Sequence, residues 1–197
     1  MLTVLVTGGI GSGKSAVCSI LQKRGVPVYD CDSRVKQMYV RRPSLIRKLE
    51  DVFGKFDRKK LSRIIFEDPS ARERLESIVY PVLLADLRRW KTMHRSCPLV
   101  AVESAIMLSK PIFDGVADIA VLVDAPQALR IERVMKRSGL SRKEVIGRMQ
   151  AQDIPMGKVH FTLINDGSTE DLSNAVNAVF FDKNGYICKI LKETEIQ

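Results

Sequence analysis

The sequence predicts an α/β protein: a five-stranded parallel sheet between two helical layers, with a helical insertion and a helical hairpin attached. Three observations carry this. Short apolar runs at 2–7, 26–29, 98–102, 118–124 and 161–164 alternate with stretches of helical period, the pattern of repeated βαβ units. A glycine-rich turn, Gly8-Gly9-Ile10-Gly11-Ser12-Gly13-Lys14-Ser15, joins the first run to the first helical stretch. Residues 33–96 hold no strong strand signal, which is more helix than a crossover between parallel strands needs.

The first run, Leu2-Thr3-Val4-Leu5-Val6-Thr7, is mostly apolar and β-branched and reads as a buried strand. The turn after it fits G-x-x-x-x-G-K-[ST] without mismatch from Gly8 to Ser15. Glycines admit backbone angles closed to other residues, so successive N–H groups can turn inward on an anion. The helix that follows, 14–24, adds free N–H donors and the positive end of its dipole. Gly11, Ser12, Gly13, Lys14, Ser15 and Ala16 are therefore phosphate-site residues. Lys14 is placed to reach the β/γ-phosphates of a nucleotide, and the Ser15 hydroxyl to ligate Mg²⁺. Gly25 stands where a helix ends, and Pro27 blocks continuation.

Val26-Pro27-Val28-Tyr29 reads as the second strand, ending at Asp30-Cys31-Asp32. Ligands of open α/β sheets sit beyond the carboxyl ends of strands, so both carboxylates fall in the expected crevice. Asp32, before Ser33-Arg34, is also a candidate N-cap of the next helix. Within 33–96, amphipathic stretches follow at 44–53, ended by Gly54, and at 57–66, with Asp57 as N-cap. A third starts at Pro69 and keeps its period through Pro81 to Trp90. This region is read as a substrate-binding insertion.

The third strand, 98–102, ends in Glu103-Ser104, and the fourth, 118–124, ends in Asp124. Asp124 has the look of a Walker B carboxylate, but Ala125-Pro126 after it favour a cap for the next helix. That helix, 126–137, carries Arg130, Arg133, Lys136 and Arg137. After the turn Ser138-Gly139-Leu140, a capping box, Ser141 to Glu144, starts another helix to about Gln152. It is expected to gather Arg142, Arg148 and Gln152, as a mobile lid over phosphates would. The last strand, 161–164, leads into Asn165-Asp166-Gly167 and a helix over 170–181. The tail from Asp182 is ambiguous. The expected division is a core of 1–32, 97–137 and 156–197, an insertion of 33–96 and a lid of 138–155.

Composition narrows the class. The net charge of +9 suits either a nucleic-acid binder or an enzyme whose substrates carry several phosphates. Aromatic residues are only 6% and do not interleave the basic runs, which weakens a base-stacking surface. No N-K-x-D guanine signature is present. The four cysteines, Cys18, Cys31, Cys97 and Cys188, form no C-x-x-C pair, which argues against structural zinc or a disulfide framework and suits a reducing cytoplasm. No apolar run approaches the ~20 residues that span a bilayer.

Val6-Thr7-Gly8-Gly9-Ile10-Gly11-Ser12-Gly13-Lys14-Ser15, followed by Val28-Tyr29-Asp30-Cys31-Asp32, resembles the opening of the dephospho-CoA kinase family. Ordered later matches at Phe53-Gly54, Leu61 to Phe66, Leu75 to Pro81, Arg133 to Arg137 and Arg148…Gln152…Asn165-Asp166-Gly167 extend the resemblance over about residues 2–180. It implies a three-layer α/β/α P-loop kinase fold. It also implies transfer of the ATP γ-phosphoryl group to the ribose 3′-hydroxyl of dephospho-CoA, with Mg²⁺, in the cytoplasm, by a monomer or small homo-oligomer with no specific nucleic acid and no membrane. Asp32 then matches the family's general base. Lys14 and Arg137 stabilise the transferring group, Arg137, Arg148 and Asn165 contact ATP, and Thr7, Gly8, Asp32, Lys36 and Tyr80 meet the acceptor. Lys36 stands where the family often has Arg, Tyr80 where it has His, and Ser109 where it has Glu. Another P-loop nucleoside or nucleotide kinase is the alternative, and a nucleotide-regulated nucleic-acid-binding module a more distant one.

Overall fold

The computed structural model describes residues 1–195. The strands are β1 Leu2–Thr7, β2 Val28–Asp30, β3 Leu99–Glu103, β4 Ile119–Asp124 and β5 Phe161–Ile164. The helices are α1 Lys14–Lys23, α2 Cys31–Arg41, α3 Pro43–Phe53, α4 Arg58–Glu67, α5 Pro69–Met93, α6 Gln127–Ser138, α7 Arg142–Gln150, α8 Thr169–Phe180 and α9 Tyr186–Glu195. The chain divides into two compact units, 1–29 with 94–197, and 30–93.

The first unit is built on the parallel sheet, in the order β2-β3-β1-β4-β5. β1 is central, with Val4 in register with Ala101 of β3 and with Ile119 of β4. The chain leaves β1 for the edge strand, returns beside it as β3, then crosses to β4. The loop after β1 therefore opens at the point where the strand order reverses, the crevice in which such sheets bind ligands. All six residues of β1 are buried, as a strand covered on both faces requires. On one face Val4, Val6, Val121 and Leu163 pack with Val17 and Leu21 of α1, Val176 and Phe180 of α8, and Ile187 of α9. Each such side chain contributes roughly 1.5–3 kcal/mol on burial.

Local chemistry sets the helix ends. Behind α1, Gly25 takes a left-handed φ of 83°, its N–H donates to Gln22 O at 2.9 Å, and the Val26 N–H donates to Leu21 O at 3.0 Å. This paired closure is the Schellman motif. Capping boxes start α7 at Ser141 with Glu144 and α8 at Ser168 with Asp171. The ambiguous tail folds as α9, whose Ile187 and Ile190 join the core beside α8.

In the second unit α5 runs for 25 residues, continuous through Pro81, and packs against α2, α3 and α4. Leu45 and Leu49 of α3, Leu61 of α4 and Leu75, Val79 and Leu83 of α5 are buried, so the amphipathic periods in the sequence do mark a core. Asp57 caps α4, accepting from the N–H groups of Lys59 and Lys60. Two capping expectations are corrected. The N-cap of α2 is Asp30, not Asp32, because the helix begins one residue after the strand ends; Asp32 is its second residue. The N-cap of α6 is Pro126, with no side-chain cap, so Asp124 does not cap that helix.

Candidate active site

The loop Gly8–Ser15 takes its shape from glycine. Gly8, Gly11 and Gly13 have φ of 148°, 79° and 102°, which L side chains rarely adopt. Gly13 is the N-cap of α1 and supplies no side chain to it. Among the described residues, no hydrogen bond is donated by the N–H groups of Gly11, Gly13 or Ser15. They stand at the positive end of the α1 dipole, as an anion site requires. The Lys14 ammonium lies over the loop and donates to Gly8 O at 2.8 Å and Gly9 O at 3.2 Å.

Other elements hold the loop from outside. The Asn165 amide, buried just after β5, donates to Ser12 O at 2.7 Å. Arg133 of α6 fixes Asn165 in turn, donating to its O at 3.1 Å and its Oδ1 at 3.4 Å. A Cβ on Gly13 would lie 2.0 Å from Asn165 Nδ2, so this glycine answers to space as well as to φ. Arg130 Nε donates to Ile10 O at 3.0 Å, and the Ile10 N–H donates to Gln152 Oε1 at 2.7 Å.

The Ser15 hydroxyl donates to Glu103 Oε1 at 2.7 Å, at the carboxyl end of β3 beside the loop. One hydroxyl and one carboxylate are hard oxygen donors in the small number that Mg²⁺ takes from protein when phosphates and water complete its shell. The residues present fit that ion. An open cavity of about 420 Å³ lies beyond the ends of β4 and β5, lined by Asp124, Ala125, Pro126, Gln127, Arg130, Ile164 and Asp166. The Arg130 guanidinium reaches Asp124 at 3.9 Å.

The second unit gathers its own polar groups. Asp32 is exposed near the amino end of α2. Tyr80 of α5 is half-buried. Burial, then the charge and hydrogen bond of the Glu76 carboxylate one turn before it, raise its phenol well above the usual range. Arg72 opposes that shift and Asp32 adds to it. Tyr80 is thus a neutral hydroxyl near two carboxylates. Tyr39 of α2 packs on Phe56 with ring centroids 5.2 Å apart, and burial raises its phenol too, against the nearby charge of Arg58.

The family model described as dephospho-CoA kinase matches residues 2–171. The chain belongs to the dephospho-CoA kinase family. It is 36% identical over 190 residues to a dephospho-CoA kinase of Thermus thermophilus, covering 91% of each chain. It is 37% identical over 160 residues to that of Porphyromonas gingivalis, covering 78% of each. Among solved structures, TT1252 from Thermus thermophilus superposes with a TM-score of 0.74 at 36% identity, covering 91% of this chain and 96% of that one. A shikimate kinase from Acinetobacter baumannii, at 14% identity, 100% and 96% coverage and a TM-score of 0.55, shares the fold.

Against this family background, the residues singled out in the sequence differ in where the fold places them. Gly8, Gly11, Ser12, Gly13, Lys14, Ser15 and Ala16 form the loop and the first turn of α1. Thr7 is fully buried at the end of β1, and its hydroxyl has no hydrogen-bond partner among the described residues. The Asn165 side chain is committed to bracing the loop. Arg137, Arg148 and Lys36 are exposed on α6, α7 and α2. One expectation is corrected: α7 ends at Gln150, and Gln152 lies beyond it, bonded to the loop rather than grouped with Arg142 and Arg148.

Sequence reasoning missed the bracing roles of Arg130 and Gln152. One signal was available. The motif needs a glycine at Gly8 but leaves position 9 open. Gly9 has no left-handed φ, yet a Cβ there would lie 1.9 Å from Arg130 Nη2. A second glycine without a conformational reason points to a close neighbour.

Proposed function

We propose that the chain is a dephospho-CoA kinase. It transfers the ATP γ-phosphoryl group to the ribose 3′-hydroxyl of dephospho-CoA, giving coenzyme A and ADP, the final step of coenzyme A biosynthesis. The observation that carries this reading is a family match from residue 2 to 171 in a chain whose complete G-x-x-x-x-G-K-S loop is folded as an anion cradle at the head of α1.

The roles follow from charge and placement. The loop N–H groups and Lys14 bind the β/γ-phosphates, replacing the Gly8 and Gly9 carbonyls that Lys14 now meets. Ser15 and Glu103 would hold Mg²⁺, which would neutralise phosphate charge when bound. The cavity beyond β4 and β5 takes the nucleoside end. Asp32 accepts the proton of the 3′-hydroxyl as its oxygen bonds to the γ-phosphorus and the bond to the ADP oxygen breaks. Arg137 and Arg148 stabilise the transferring group as the 138–155 segment closes over it. Lys36 and Tyr80 meet the acceptor. The enzyme works in the cytoplasm, where both substrates are free, as a monomer or small homo-oligomer.

A coupled ADP-release assay with Mg-ATP and a panel of acceptors tests the reading. Turnover is expected with dephospho-CoA and at least a hundredfold less with shikimate, gluconate or nucleoside monophosphates. Background rates with dephospho-CoA, or a better acceptor on the panel, overturn it.

A further inference from the structure

Ile10 is one of the unspecified positions of the loop motif, yet all three of its groups are held by the segment from α6 to Gln152. Its N–H donates to Gln152 Oε1 at 2.7 Å, and its carbonyl accepts from Arg130 Nε at 3.0 Å. Its side chain packs against the buried cluster of Ile131 and Val134 on α6 and Val145 on α7, with Leu140, Ile146 and Met149 around it. The Arg130 guanidinium fills the space where Gly9 lacks a side chain.

These contacts act on two successive peptide planes. The Ile10 N–H belongs to the Gly9–Ile10 peptide, which Gln152 therefore orients. The Ile10 carbonyl belongs to the Ile10–Gly11 peptide, which Arg130 orients, and that peptide also carries the N–H of Gly11. A run of glycines has little intrinsic preference among backbone angles. The direction of its donors has to be imposed from outside, and a misplacement of about 1 Å costs on the order of a hundredfold in rate.

We propose that Gln152 is a positioning residue for phosphoryl transfer. Acting through Ile10, it sets the aim of the phosphate loop and ties that loop to α7, the helix that carries Arg142 and Arg148. The segment that carries α7 is thereby anchored to the loop at Gln152, so an anion seated in the loop also biases where those arginines start from before closure, and the coupling runs equally in the other direction. The inference rests on the phosphate-site reading of the loop, and only its turnover arm rests on dephospho-CoA as acceptor.

Three variants and two readouts test it. Gln152→Met keeps the length of the side chain and removes the acceptor oxygen; Gln152→Ala removes both; Gln152→Glu keeps an acceptor. ADP binding is measured by calorimetry, and the amide resonances of Ile10 and Gly11 are followed by NMR in the ligand-free protein. Gln152→Met and Gln152→Ala are expected to weaken ADP about tenfold, the loss of one part-buried hydrogen bond, and to shift both amides. Gln152→Glu is expected to return both amides toward their wild-type positions. In the coupled assay, Gln152→Met lowers kcat/KM for ATP at least as far as binding falls, and leaves KM for dephospho-CoA unchanged. ADP affinity at the wild-type level in Gln152→Met overturns the proposal, because packing alone then suffices. So does an equal loss in all three variants with the two amides unmoved, the result of general destabilisation. If no acceptor turns over but the binding and amide results hold, the positioning role stands and the acceptor assignment falls.

Discussion

The turns that open α1 and α2 are both strand-to-helix junctions, and they solve the problem of free helix N–H groups in opposite ways. At α1 the cap residue is Gly13, in a left-handed conformation and with no side chain to offer, so the first-turn donors await an outside anion. At α2 the cap is Asp30, whose carboxylate accepts from the Ser33 N–H at 3.0 Å and from the Ser33 hydroxyl at 2.5 Å. That helix start is filled by the protein's own charge, and Asp32 is left exposed with no capping duty. One junction leaves its helix start without a side-chain cap; the other fills it with Asp30 and leaves Asp32, the proposed proton acceptor, outside the cap.

The comparison breaks most sharply at Asp32. Asp32→Asn is expected to lower turnover by about 10³-fold, within the usual range for a general base, while calorimetry finds ATP affinity unchanged. Turnover near wild type would place the proton acceptor elsewhere.

Gly13→Ala comes next. It forces a side chain into φ of 102° and a Cβ to 2.0 Å from Asn165 Nδ2, so the loop and its brace must part. ATP binding is expected to weaken about a hundredfold, with turnover following it. Gly54→Ala is the control in the second unit, at φ of 76° with nothing within 4 Å. It carries backbone strain of about 1–2 kcal/mol and no effect on nucleotide affinity.

Asp30→Ala is smaller. Loss of the α2 cap is expected to cost about 1 kcal/mol in urea unfolding, with Asp30→Asn recovering most of it and ATP affinity unaffected in both. A large loss of ATP affinity in Asp30→Ala would mean that the two junctions are not separable.

The smallest effect is a pH dependence at a helix start of the same filled kind. Ser168 holds the Asp171 carboxyl below its usual range by a side-chain and a backbone hydrogen bond. A carboxylate with a lowered folded pKa stabilises fully above its unfolded value of about 4, and that contribution is lost as the pH falls through the folded value. The difference in urea midpoint between wild type and Asp171→Asn should therefore be present at pH 7 and shrink in acid below pH 4.

Much of this molecule was legible before folding because the signals are short-range. Strand and helix periods placed the five strands, and the caps at Asp57 and Ser141 start their helices where the sequence placed them. Misreadings came where two residues competed for one local role. Asp30 and Asp32 both suit a cap, and the choice turned on where the β2 strand ends, a boundary set by pairing in the sheet rather than by residue type. Asp124 looked like a cap because Pro126 follows it, but Pro126 itself takes that place and leaves the carboxylate to Arg130.

By itself the sequence determined the loop, since left-handed backbone at Gly8, Gly11 and Gly13 follows from steric rules that act within one residue. Only the tertiary structure decided what holds that loop. Glu103 meets Ser15 across 88 residues, Gln152 meets Ile10 across 142, and Asn165 meets Ser12 across 153. Partners that far apart are chosen by strand register and helix packing, which depend on the whole folded unit and leave no mark in the spacing of neighbouring residues.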